Sequence, residues 1–326
     1  MQLPEIHHKR ILFSALNWGL GHVMRSIPII RALQENGNEI IIACDEEQKP
    51  FFMAEFPSVE IEFLAGYQFN FSGKGNFGMD LFRSFPKLHK NIKNERKIAD
   101  FLVKKHKIDL ILSDQRFGFQ NSNTKNVIIS HQLKLLVPWY QRMINVYYQH
   151  YLKQFDEIWI PDAVEKEQRI TGKLTQSHFK NVRFIGFLSR FSPIKTENTY
   201  AFGAIISGPH PYNKQLLTLV LEKFKTINAP CFIISSLVEN EQIDQITMVK
   251  YESTSQMEHW LKQTNCIISR SGYSTIMDLK IMGLKAILIP TPGQYEQIYL
   301  GKQLKDDKQF KIMSETAFRA CNLQND

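Results

Sequence analysis

Two stretches of the chain place residues that can handle anions and protons directly after apolar, strand-like runs. The first is ALNWGLGHVMRSIPIIRALQ, from Ala15 to Gln34. Gly19 and Gly21 let the backbone turn sharply and approach a ligand, while Ile27, Ile30 and Leu33 begin the apolar stripe of a helix. A strand, a glycine loop and a helix start together make an anion site, because first-turn N–H groups are unpaired and the helix dipole is positive there. His22 and Arg25 lie three residues apart on one face of that turn, so a proton acceptor stands beside a cation. A local bond at the helix start is the alternative use of His22.

The second stretch, IISRSGYSTIMDLKIMGLKAILIPTPGQYEQIYLGKQL, runs from Ile267 to Leu304. Arg270, Ser271, Gly272, Ser274 and Thr275 open a helix with hydroxyl and N–H groups suited to phosphate oxygens. Asp278 follows on that helix, where a carboxylate can accept from two ribose hydroxyls. After a strand closed by Pro290 and Pro292, the loop Gly293, Gln294, Glu296 and Gln297 offers groups that both donate and accept, as gripping a sugar requires. Two shorter segments, SDQRFG and SHQ, also follow strand-like runs, which places Asp114, Arg116 and His131 at strand carboxyl ends as candidate pocket residues, with turn and capping roles as the alternative.

Elements must bring these residues together, and the chain is patterned for it. Apolar runs alternate with amphipathic, helix-length stretches throughout, the signature of parallel α/β layers. Strands are expected at Arg10 to Ala15, Glu39 to Ala43, Val59 to Leu64, Ile108 to Leu112, Asn126 to Ser130, Glu157 to Ile160 and Val182 to Ile185. A second series is expected at Gly203 to Ser207, Cys231 to Ser236, Ile246 to Lys250, Asn265 to Ser269, Lys285 to Pro290 and Phe310 to Met313, with a closing helix from Glu315 to Cys321. Periodicity fails between the series, so the expected domains are 1–187 and 201–326, with 188–200 as a linker. At 326 residues, two doubly wound Rossmann-like domains facing a central cleft fit the length.

The two long motifs, in this order and on these elements, resemble the MurG-like transferases of glycosyltransferase family 28, which have the GT-B fold. Motif-level resemblance is confined to about Leu16 to Gln34 and Cys266 to Leu304. It implies a metal-independent, inverting transfer of a sugar, an N-acetylhexosamine for instance, from a UDP-linked donor to a lipid-linked or other hydroxyl acceptor at the cell envelope. Carried over residue by residue, Gly19 to His22 would face the acceptor and its phosphates, with His22 as general base. Ser271, Gly272, Ser274 and Thr275 would hold the donor diphosphate, Asp278 its ribose, and Glu296 with Gln297 the sugar hydroxyls. Ser207 and Gly208 stand where the family has a glycine-serine loop and are weaker donor-site candidates.

Departures are visible too. The first loop, NWGLGHVMR, is less glycine-dense than the family's, and Glu296 stands where a pair of glutamines is expected, so acceptor and sugar stay open. A sugar-nucleotide 2-epimerase shares fold and donor pocket, and a non-catalytic nucleotide-sugar binder is the reading from a different class. Retention of Arg270, Asp278, Glu296 and Gln297 together speaks against decay of the site.

Composition sets the outer bounds. A net charge of +8, from 40 Lys and Arg against 32 Asp and Glu, favours anionic partners. No nucleic-acid recognition motif accompanies it, so nucleic acid is not expected. From Arg83 to Lys107 there are nine Lys and Arg against Glu95 and Asp100, with Phe82, Phe85 and Leu88 among the early members and Trp139 and Tyr140 further on. That pattern would suit peripheral contact with an anionic membrane, though a solvated helix face explains it more simply. No apolar run approaches the 18 or so residues of a spanning helix, and no signal peptide is apparent, so a cytoplasmic protein, at most at the inner face of the membrane, is expected. Cys44, Cys231, Cys266 and Cys321 lack CxxC spacing, and no two aspartates are separated by a single residue; neither metal nor cofactor is expected.

Overall fold

The structure is a computed structural model that describes residues 1–18, 20–67, 85–136 and 142–323. Gly19, Phe82, Arg83, Trp139 and Tyr140 lie outside the described residues, as does the side chain of Phe85. The chain divides into two compact units, the boundary between their main segments falling between Leu188 and Ser189.

In the first unit, seven strands form one parallel sheet: β1 (Arg10–Ala15), β2 (Glu39–Cys44), β3 (Glu60–Phe63), β4 (Leu110–Asp114), β5 (Lys125–Ile129), β6 (Glu157–Ile160) and β7 (Val182–Phe184), in the order β3-β2-β1-β4-β5-β6-β7. β1, β2, β4 and β5 are buried along almost their whole length, which is why their sequences are continuous apolar runs rather than alternating ones. Four described helices connect them: α1 (Gly21–Glu35), α2 (Lys49–Glu55), α3 (Phe85–His106) and α4 (Arg142–Leu152). α1 buries Val23, Ile27, Ile30 and Leu33 at helical spacing and stops at Gly37, whose φ of 75° lets its N–H return to Gln34. Because β1 is flanked by β2 on one side and β4 on the other, the strand order reverses there, and the carboxyl ends of β1 and β4 open side by side.

The second unit repeats the design. Its strands are β8 (Phe202–Ile206), β9 (Cys231–Ser235), β10 (Glu241–Ile243), β11 (Ile246–Lys250), β12 (Cys266–Ser269), β13 (Lys285–Leu288) and β14 (Phe310–Ile312), ordered β10-β11-β9-β8-β12-β13-β14. All pairs are parallel except β10 with β11. Helices α5 (Tyr212–Phe224), α6 (Thr254–Leu261), α7 (Tyr273–Met282), α8 (Tyr295–Gln303) and α9 (Glu315–Ala320) cover the sheet. Leu216, Leu219 and Phe224 of α5 and Phe318 of α9 pack with Ile233, Ile268 and Ile287 in one core. The reversal in this sheet lies between β8 and β12, so the loops after those strands share one end.

Among the described residues, thirteen of the fourteen strands coincide with the sequence expectation to within two residues at either end; β10 was not expected. The segment 188–200 is bonded along the second unit: Glu197 N–H to Lys262 O at 2.7 Å and Tyr200 N–H to Gln263 O at 2.9 Å.

Candidate functional site

In the first unit, α1 follows β1 directly, so its first turn faces the end of β4. Four side chains converge there. Arg25 Nε donates to Asp114 Oδ2 at 2.7 Å, and Arg25 Nη2 donates to Asp114 Oδ1. His22 Nδ1 lies 3.2 Å from Asp114 Oδ2 and 2.9 Å from Arg25 Nη2. Arg25 Nη1 lies 3.1 Å from Nδ1 of His131, which follows β5. Asp114 is fully buried and Arg25 and His131 nearly so, whereas the His22 side chain keeps 13% of its surface. Burial pushes the Asp114 carboxyl up, but Arg25 and then His22 outweigh it and hold it at about 2. Burial, then Arg25, holds His22 below its ordinary value against the pull of Asp114. A largely neutral imidazole with a carboxylate behind it and an exposed edge can take a proton from a bound hydroxyl.

Arg116, expected to line a pocket, is turned inward. It is fully buried, donates from Nε to Glu95 Oε1 at 2.6 Å and from Nη2 to Ala65 O at 2.6 Å. Glu95 in turn accepts from Gly118 N–H at 3.1 Å and from the Tyr67 hydroxyl, so Arg116 fastens α3 to the loops after β3 and β4. Arg25 is likewise committed within the protein. Sequence reasoning missed Glu95 as a partner, although its position was informative: it falls on the stripe of Ile92, Ala99 and Leu102, where a carboxylate needs a buried cation.

In the second unit, Gly272 is the N-cap of α7, with φ −72° and ψ 140°. A cap without a side chain leaves the first-turn N–H groups available for a ligand oxygen. Ser274 and Thr275 in that turn are half-buried. Ser271 is buried, and its hydroxyl donates to Gln297 O at 3.0 Å, while Gln297 Oε1 accepts from Thr291 N–H at 2.8 Å. These bonds lock the start of α7 to the first turn of α8, and that turn to the loop after β13. Arg270 points away from the helix start: Nη2 lies 2.8 Å from Glu315 Oε1 and 3.3 Å from Tyr212 O, so it ties α9 and α5 to this end of the sheet.

Asp278, one turn further along α7, accepts from Ser189 Oγ at 2.8 Å, and Arg190 Nε stands 3.8 Å from its other oxygen. Burial pushes this carboxyl up to about 6 against those partners. Neither Ser189 nor Arg190 was singled out in the sequence. Gly208, after β8, has φ 105°, and a Cβ there would meet nothing within 4 Å, so the backbone conformation rather than crowding calls for glycine. Ser207 and Glu296 are half-buried, Glu296 in the first turn of α8.

Among the described residues, one group of potential metal ligands comes together, Glu60, Glu62 and His106 at the edge strand of the first sheet. It is already cross-linked by Lys105 to Glu62 at 2.5 Å and His106 to Glu62 at 2.7 Å.

Residues 230–325 match the glycosyltransferase family 28 C-terminal domain. No curated protein matches the chain. Solved structures do. Spinosyn rhamnosyltransferase SpnG complexed with thymidine diphosphate is 14% identical, covering 97% of this chain and 92% of its own, with a TM-score of 0.60. Arabidopsis thaliana UGT89C1 complexed with UDP-L-rhamnose is 9% identical, covering 98% and 88%, with a TM-score of 0.65. Acinetobacter baumannii MurG is 13% identical, covering 97% and 88%, with a TM-score of 0.55. At such identities the likeness is one of fold, the GT-B architecture of two α/β units.

Proposed function

We propose that this protein, a glycosyltransferase by its family 28 domain and GT-B fold, transfers a sugar with inversion from a nucleotide diphosphate sugar to a hydroxyl acceptor, with His22 as general base. The observation that carries the reading is His22 Nδ1 at 3.2 Å from the buried Asp114 carboxylate. With Nδ1–H turned to Asp114, Nε2 accepts the acceptor's hydroxyl proton. The oxygen bonds to the anomeric carbon as the bond from that carbon to the diphosphate breaks, and the nucleoside diphosphate leaves with the electron pair. Its charge falls to the start of α7, where N–H groups, the dipole and the hydroxyls of Ser274 and Thr275 are suited to phosphate oxygens. Asp278 is assigned the ribose. Glu296 and the amide nitrogen of Gln297 are assigned the sugar, since the Gln297 carbonyl oxygen is already engaged. Nucleotide-bound relatives of the fold support a nucleotide-sugar donor, with UDP as the reading this chain's motifs favour.

The test is His22→Ala, expected to lower turnover by roughly 10² or more while leaving donor affinity unchanged. Transfer and donor hydrolysis both persisting at the wild-type rate would remove His22 from the chemistry.

A lipid-linked acceptor is the class this reading favours, and one face of the first unit supports it. Lys87, Lys90, Lys93 and Lys97 of α3 are exposed, and α4 presents Met143 and Val146 to solvent, 74% and 60% exposed. His89 Nδ1 stands 3.0 Å from the Tyr147 hydroxyl, so the start of α3 and these apolar side chains share a neighbourhood. Charge beside exposed apolar groups is the arrangement of a peripheral membrane surface. Among the described residues, no helix is long and apolar enough to cross a membrane.

A further inference from the structure

The surroundings of His22 carry one more inference, which rests on its reading as general base. Its Nδ1 stands between two groups that make opposite demands: Arg25 Nη2 at 2.9 Å and Asp114 Oδ2 at 3.2 Å. A guanidinium only donates, so it disfavours protons on the ring; a carboxylate only accepts, so it favours one on Nδ1. A buried carboxylate at this distance raises the ring's affinity for a second proton, against the burial that lowers it, and a doubly protonated ring is no longer a base. Arg25 changes that balance. Its Nε and Nη2 take both oxygens of Asp114, its side chain is 2% exposed, and Nη1 faces His131. The charged and titratable groups around His22 are thus Arg25 on its own helix, Asp114 at the end of β4 and His131 after β5.

We propose that Arg25 is a positioning residue that keeps the His22 ring uncharged until an acceptor hydroxyl is bound, by occupying the carboxylate that would otherwise hold a second proton on the ring. The ring's single proton sits on Nδ1 toward Asp114 Oδ2, so Nε2 is bare to receive the acceptor's proton, and the carboxylate, its charge already shared with Arg25, supports the imidazolium as it forms. A purely structural Arg25–Asp114 pair, by contrast, would lower activity equally at every pH when broken.

The experiment has two arms. In the first, kcat/KM is followed against pH for the wild type, Arg25→Lys and Arg25→Gln. The acid limb should move up by ~1 pH unit or more in Arg25→Gln and return most of the way in Arg25→Lys, which keeps the charge. An acid limb unmoved in folded Arg25→Gln overturns the proposal. In the second arm, His22 is titrated in the wild-type protein by nuclear magnetic resonance of its ring nitrogens, assigned with His22→Gln. Titration below the ordinary value of about 6.5 is expected, and titration above it overturns the proposal even if no variant folds. His22→Gln also separates the two readings: if it retains turnover, the general-base assignment fails, whereas the His22 ring titration compared between the wild type and Arg25→Gln still decides what Arg25 adds to the effect of burial.

Discussion

Burial raises both the Asp114 and the Asp278 carboxyls, but only Asp114 has a guanidinium against it in two-pronged contact. The outcomes have opposite sign. Asp114 sits at about 2 in the folded protein, below the ordinary carboxylate value of roughly 3.9, so its contribution to stability is complete above about pH 4 and is lost as pH falls toward 2. Asp114→Asn should remove that acid-side loss and, by leaving Arg25 buried without its counter-charge, cost about 3–5 kcal/mol at neutral pH in denaturant unfolding. Asp278 sits at about 6, above the ordinary value, so the folded protein holds its proton more tightly and stability declines as pH rises from about 4 through 6. Only the ionised carboxylate accepts from two ribose hydroxyls, so donor affinity measured by calorimetry should rise as pH passes upward through 6. Asp278→Ala should weaken that affinity by about 1–3 kcal/mol at pH 7.5 and flatten its pH dependence. Wild-type affinity in this variant would take Asp278 out of the nucleotide site. The residues of both clusters were legible as types at strand ends. Their orientations were not: Arg25 meets a carboxylate 89 residues away, and Arg116, Arg270 and Gln297 turn inward to partners that no local pattern names.

At the scale of elements, α7 runs from the N–H and hydroxyl groups at its start to Gly283 at its end. Gly283 takes φ 75°, and its N–H returns to Leu279 and Lys280. Only glycine adopts that conformation without strain, so Gly283→Ala should cost about 1 kcal/mol in thermal or denaturant unfolding while leaving nucleotide affinity within twofold. Loss of binding without loss of stability would mean that the C-terminal end of the helix takes part in the site. Strands were legible because a strand buried on both faces has to be a short apolar run bounded by turn residues. β10 escaped for the converse reason. Glu241 and Gln242 are polar and exposed, Ile243 alone is apolar, and the three pair only because Asp244, at φ 50°, folds the chain back on β11.

For the whole molecule, a net charge of +8 points to anionic ligands and surfaces without choosing between them. A panel of nucleotide sugars should separate donors, since one present at 100 times its dissociation constant adds about 2.7 kcal/mol to stability and raises the unfolding temperature accordingly. No response from any UDP- or TDP-sugar would count against the donor assignment. For the membrane reading, each Lys near an anionic surface is worth about 1 kcal/mol, so three or four engaged residues should give co-sedimentation with anionic vesicles that salt reverses. Negligible binding to anionic and neutral vesicles alike at low salt would point to a soluble acceptor.

The sequence alone determined the two α/β units, nearly every strand, the hydroxyl-rich start of α7 and the pairing of His22 with a nearby cation. These are local properties: burial periodicity, turn chemistry and the spacing of residues within one turn. Only the tertiary structure decided which side chains meet. The reversal of strand order beside β1 brings Asp114 and His131 from distant parts of the chain against the first turn of α1, and that convergence puts a buried carboxylate beside His22. A buried charge must find its partner wherever the topology puts one, and the distance between the two along the chain carries no trace of it.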